Sequence, residues 1–173
     1  MVNNCMQTQW QWHAVSGLDV RDMVIMAQTW FETEISDIFE PDPIAYERNL
    51  MRAVVEQFYV PGQHLVMAAR DCESNRMVAY VWAQRERACW SDDAMCAVRM
   101  VHVDLELSAR QRVRVIHEMI DHWEQWSRIH RIPVICSTTM RRDQTAFLRI
   151  HQARGYDCRG SFCYRRLDLS AQS

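Results

Sequence analysis

The sequence predicts a single mixed α+β domain of about seven strands and four helices, and three observations lead there. Apolar residues recur at period two in short runs such as Trp10, Trp12 and Ala14, and at helical spacing in longer runs such as Val113, Ile116, Ile120 and Trp123. The two kinds of run alternate in the order β, α, α, β, β, β, α, β, α, β, β. The 173 residues are 49% apolar, enough for one core, and no repeat, low-complexity tract or linker marks a second domain.

Each element has a local reason. The first strand lies around Gln9 to Val15. Asp19 is placed to cap a helix reaching about Thr33, with Val20, Met23, Val24, Met26, Ala27, Trp30 and Phe31 on its apolar side. An acidic loop, Glu32 to Asp42, ends at Pro43, which suits the first turn of a second helix to about Tyr59, and Pro61-Gly62 stops that helix. Strands at His64 to Arg70 and Met77 to Arg87 flank the turn Glu73-Ser74-Asn75 and read as an antiparallel hairpin. Past Asp92-Asp93, a long strand runs from Cys96 to Leu107. Ser108 caps a third helix to about Trp126 or Ile129, Pro133 ends that stretch, and Val134 to Ser137 is a buried strand. The last helix closes at Gly155, where a left-handed glycine cap is expected, and a Gly160-centred hairpin leads into a final strand, Phe162 to Leu167.

Composition narrows the class further. No stretch of eighteen apolar residues and no secretory signal pattern is present, so a soluble intracellular protein without membrane insertion is expected. The seven cysteines are scattered and never form Cys-x-x-Cys, which points to reduced, mostly buried thiols rather than disulfides or zinc. His117 and His122 are five apart and share no helix face, so no metal is predicted. All twenty basic residues are arginine. They are unevenly placed: residues 1–50 carry two arginines against eight acids, and 108–166 carry twelve against five. A basic half of this kind suits a phosphorylated cofactor or the acidic half of a neighbouring copy, and solvated helix faces explain it equally. Nucleic acid is a distant alternative, supported only by the arginine excess.

The helix ending Ala146-Phe147-Leu148-Arg149-Ile150-His151-Gln152-Ala153-Arg154, its glycine stop and the terminal strands resemble the C-terminal signature of GCN5-related N-acetyltransferases, and the element order matches over nearly the whole chain. The resemblance implies a mixed, mostly antiparallel sheet whose fourth and fifth strands splay. It also implies acetyl-CoA in the gap, with its pyrophosphate on N–H groups at the start of the third helix. The family pattern there, Arg or Gln, two residues, Gly, one residue, Gly or Ala, falls on Gln111, Arg112, Val113, Arg114, Val115 and Ile116. Its first position is met, but Arg114 and Ile116 stand where the family has small residues. A helix start keeps its free N–H groups whatever its side chains, so Arg112 and Arg114 can still attract phosphate, while the bulk of Ile116 opposes close approach. The backbone of Leu105 and Glu106 corresponds to the pantetheine contact. The family's tyrosine acid is replaced by His151, and Asp143 stands where the family often has Asn. His102 or Asp104, with Glu106 on the same strand face, is placed to act as base, and a solvated strand face is the plainer account of the three.

Two functional readings follow. One is a catalytically degenerate acetyltransferase-like domain that binds protein partners, in a larger assembly or by self-association. Such domains look like those of some tailed-phage virion proteins, which would add the virion to the cytoplasm as a location. The other is an active acetyl-CoA-dependent N-acetyltransferase with a diverged cofactor loop, using Asp104 as base, His151 as acid, and Gln111, Arg112 and Arg114 for the pyrophosphate. Acetyl-CoA is required only in the second, although CoA binding alone is compatible with the first.

Overall fold

The computed structural model describes residues 9–160 and Cys163. Five strands form one sheet in the order β1 (Trp10–Ala14), β2 (His64–Asp71), β3 (Met77–Arg87), β4 (Ala94–Val103) and β5 (Val134–Ser137). The first three pairings are antiparallel and β4 with β5 is parallel. Helices α1 (Val20–Trp30) and α2 (Pro43–Tyr59) cover one face, where Val20, Met23, Leu50 and Val54 pack on Val66, Ala68 and Tyr80. On the other face α3 (Ala109–Ile129) lays Val115, Met119, Ile120 and Trp123 against Leu65, Ala69, Val81 and Cys96. The strands are apolar on both sides because both sides are covered.

Helix boundaries follow their caps. Asp42 Oδ1 accepts the N–H groups of Ile44 and Ala45, both at 3.0 Å, with Pro43 at the first turn of α2. Gly62 then turns the chain at φ +78°, where an added Cβ would lie 2.7 Å from Nδ1 of His130, so this turn passes against the end of α3. Ser108 and Gln111 form a reciprocal capping box at the start of α3. The last helix, α4 (Thr145–Ala153), is followed by Gly155 at φ +83°, as the glycine stop requires.

Four expectations need correction. Asp19 does not cap α1: its carboxylate accepts from Ser16 N–H and Oγ, both at 2.9 Å, and from Arg70. That helix passes into a π-helical turn, Phe31–Ile35, where a loop was expected. β4 stops at Val103 rather than Leu107, because Asp104 Oδ1 takes the Glu106 N–H at 2.9 Å and bends the chain into a turn. Five strands replace the expected seven among the described residues: 156–160 is not strand, and the final strand from Phe162 lies outside them.

Candidate active site

Two local features shape the C-terminal half of β4. Trp82 faces Met100 while Ala83 faces Val98, so Arg99 is an extra residue, a β-bulge. Before it Cys96 and Val98 face α3. After it Val103 does so, and Met100 turns to the α1 side. The parallel ladder with β5 also ends at this place, on the pair Val98 and Ser137. From Arg99 to Val103 the outer edge of β4 therefore has no strand partner among the described residues, and Val101 is 37% exposed beside it. A strand edge with unpaired backbone groups can pair with a linear, amide-bearing arm.

By the same bulge, His102 is aimed at the α1 face. Its ring lies edge-on to Trp30, with centroids 5.4 Å apart, and 4.8 Å from the ring of Tyr80, whose hydroxyl is 2.8 Å from that of Tyr46. The residue is buried, yet no protein group among the described residues hydrogen-bonds its ring. Burial, and secondarily the charge of Arg141, push it down to about 4, so the imidazole is neutral at physiological pH. It lines a groove of about 710 Å³ bounded by α1, the π-helical turn, the β2–β3 turn, the end of β4 and Arg141 of the β5–α4 loop. Of this groove, Trp30 was expected only on the apolar side of the first helix, and Glu34 and Arg141 were not expected as site residues. The signal available for the bulge was the shift of apolar positions from even numbers, Cys96 and Val98, to odd ones, Val101 and Val103.

The residues singled out from sequence are distributed as follows. Asp104 and Glu106 line the groove from a turn, not from a strand face, and Arg76 binds both carboxylates, Glu106 at 2.9 Å. Leu105 is 64% exposed and its carbonyl accepts from Arg112 Nη1 at 2.9 Å. Gln111 is held in the capping box and reaches Gln9 Oε1 at 2.7 Å. Arg114 points toward the opposite sheet edge, over the Trp10 ring at 4.9 Å and onto Glu118 at 2.9 Å. Ile116 is half-buried against the core beneath α3. His151, the replacement of the family's tyrosine, is 5% exposed. Its Nδ1 lies 2.9 Å from the Phe147 carbonyl, which only accepts, so Nδ1 carries the proton and Nε2 accepts from Ser137 Oγ at 3.0 Å.

A polyanionic group fits the start of α3 electrostatically. The capping box occupies the Ser108 and Gln111 N–H groups and leaves those of Ala109 and Arg110 without an acceptor among the described residues, beside the Arg110 and Arg112 side chains.

No protein-family profile matches the chain, and no curated protein matches it in sequence. Solved structures do. A predicted acetyltransferase with acetyl-CoA from Clostridium acetobutylicum superposes with a TM-score of 0.68 at 11% identity, over 92% of this chain and 96% of that one. The fold is that of the GCN5-related N-acetyltransferases. An aminoglycoside 6'-N-acetyltransferase from Acinetobacter baumannii, AAC(6')-Ih, matches with TM-score 0.65 and 12% identity over 93% and 99% of the two chains. AAC(6')-Iy, solved in complex with the bisubstrate analogue CoA-S-monomethyl-acetylneamine, gives TM-score 0.65 and 11% identity over 94% and 100%. Within this fold, the candidate site is the unpaired outer edge of β4 together with the groove at the end of that strand. No helix among the described residues is long and apolar enough to cross a membrane.

Proposed function

We propose that this protein is an acetyl-CoA-dependent N-acetyltransferase that acts on a primary amine held in the groove at the end of β4. The observation that carries the reading is His102, a neutral imidazole whose ring nitrogens have no hydrogen-bond partner among the described residues, facing a roomy groove next to the place where the ladder between β4 and β5 ends. The unpaired edge of β4 and the start of α3, with Arg110 and Arg112, would hold the bound thioester, which supplies the acetyl group. His102 takes the proton from the acceptor ammonium, so that the amine lone pair is available for attack. Trp30 and Tyr80 hold the imidazole ring in place for that transfer. Asp104, the base suggested by sequence, is neutralised by Arg76 and serves better as a wall of the groove.

The reading as an inactive, partner-binding domain rests on two departures, the bulky residues of the diverged loop and the tyrosine acid replaced by His151. Arg114 lies toward β1 and Ile116 toward the core, so neither side chain is the plug that reading needs. Titration of the folded, reduced protein with acetyl-CoA, followed by thiol release over a panel of primary amines, decides between them. Saturable binding is expected, with His102→Asn lowering kcat by about 100-fold or more and leaving acetyl-CoA affinity unchanged. Absence of binding at millimolar acetyl-CoA would overturn the enzyme reading in favour of the partner-binding one.

A further inference from the structure

The charged groups of the groove are unevenly matched. Arg70 is committed to Asp19 at 2.9 Å and Asp22 at 2.7 Å, and Arg76 to Asp104 and Glu106. Two charges of opposite sign remain without an ion-pair partner among the described residues. Glu34, half-buried, is carried on the π-helical turn; Arg141 is carried on the β5–α4 loop. The two segments are tied together next door, where Arg142 Nη2 donates to Asp37 Oδ2 at 2.7 Å. Both charges therefore border the same groove as His102. Ile25, Met26, Met77 and Leu105 supply an apolar wall alongside.

A cavity that keeps one cation and one anion unpaired, too far apart to satisfy each other, is complementary to a ligand bearing both charges. We propose that the acceptor is a zwitterion, an α-amino acid with an apolar side chain. Its carboxylate pairs with the Arg141 guanidinium, its ammonium with Glu34 in the groove that His102 also lines, and its side chain lies on the apolar wall. In the transfer this inference rests on the acetyltransferase reading: the ammonium loses one proton to His102, the amine nitrogen bonds to the thioester carbonyl carbon, the carbon–sulfur bond breaks, and the second proton of that nitrogen passes to the departing sulfur, which leaves as the thiol. Binding of the amino acid does not rest on that reading.

The test is calorimetric titration with L-leucine, L-methionine and L-phenylalanine, each beside its own carboxamide, with and without saturating CoA. The amide keeps the amine and side chain and removes only the carboxylate charge. An affinity at least about tenfold higher for the amino acid than for its amide is expected. Arg141→Gln should erase that preference and leave the amide unaffected, with partial recovery in Arg141→Lys, whereas Glu34→Gln should weaken both ligands. Equal affinity for acid and amide, or no binding of any of the three amino acids by folded protein, would overturn the inference. Failure of the acetyltransferase reading registers separately, as absence of acetyl-CoA binding in the same preparation.

Discussion

Asp19 and His102 show how single residues carry the chemistry of this chain. Against the burial that would raise it, the Ser16 N–H and the Arg70 guanidinium hold the Asp19 carboxyl down at about 2, from 3.8. A depressed carboxylate stabilises the fold above its unfolded value and loses that contribution as pH falls through the folded one. Asp19→Asn is therefore expected to cost roughly 2 kcal/mol at pH 7, a difference that shrinks as pH falls from 3.8 toward 2. Urea midpoints of both proteins across that range check it, and a difference constant down to pH 2 would count against the assignment. His102 follows the same sign logic for a base held neutral. Unfolded chains bind its proton first, so its contribution is complete above pH 6.5 and is lost as pH falls toward 4. The acid limb of kcat/KM should accordingly lie near 4 rather than 6.5, and a limb at 6.5 would assign the proton transfer to another group.

At the scale of elements, most boundaries were legible because they depend on neighbours in sequence. Pro43 begins α2, Ser108 and Gln111 begin α3, and Gly155 stands just past α4, all as their local chemistry requires. The misses occur where a distant partner overrides a local rule. Asp19 has the residue type of a cap, but Arg70, fifty-one positions away, takes its carboxylate. His151 reads as a polar helix residue, yet Ser137 and the Phe147 carbonyl satisfy both ring nitrogens and make burial tolerable. The bulge at Arg99 is the element-level feature on which the groove depends. Deleting Arg99 should turn every following side chain of β4 to the other face, move His102 toward α3 and abolish acceptor binding. Arg99→Ala keeps the extra residue and should keep binding. Circular dichroism monitors folding of both variants, and retained binding in the deletion would show that the bulge does not aim His102.

Across the whole molecule, a sheet covered on both faces places the strongest protection at its middle. β3 is paired on both edges and has Tyr80, Val81 and Ala83 fully buried, so its amides should exchange slowest by mass spectrometry, and those of edge strand β1 faster. Faster exchange in β3 than in β1 would contradict that distribution of stability. The sequence alone determined the fold class, nearly every helix and strand, and the family resemblance, since periodicity, caps and turn residues act over a few positions. His102 was legible as one of two possible bases, whereas Glu34, Trp30 and Arg141 were not legible as site residues at all. Trp30 and Glu34 stand one turn apart on a continuous helical segment, but nothing local links them to Arg141 or to His102. Only the tertiary structure decides their meeting, because a bulge rotates one strand, a π-helical turn displaces one helix end, and an ion pair between Arg142 and Asp37 draws two loops to the same groove. Each of these arises from packing and charge contacts between segments that sequence proximity does not encode.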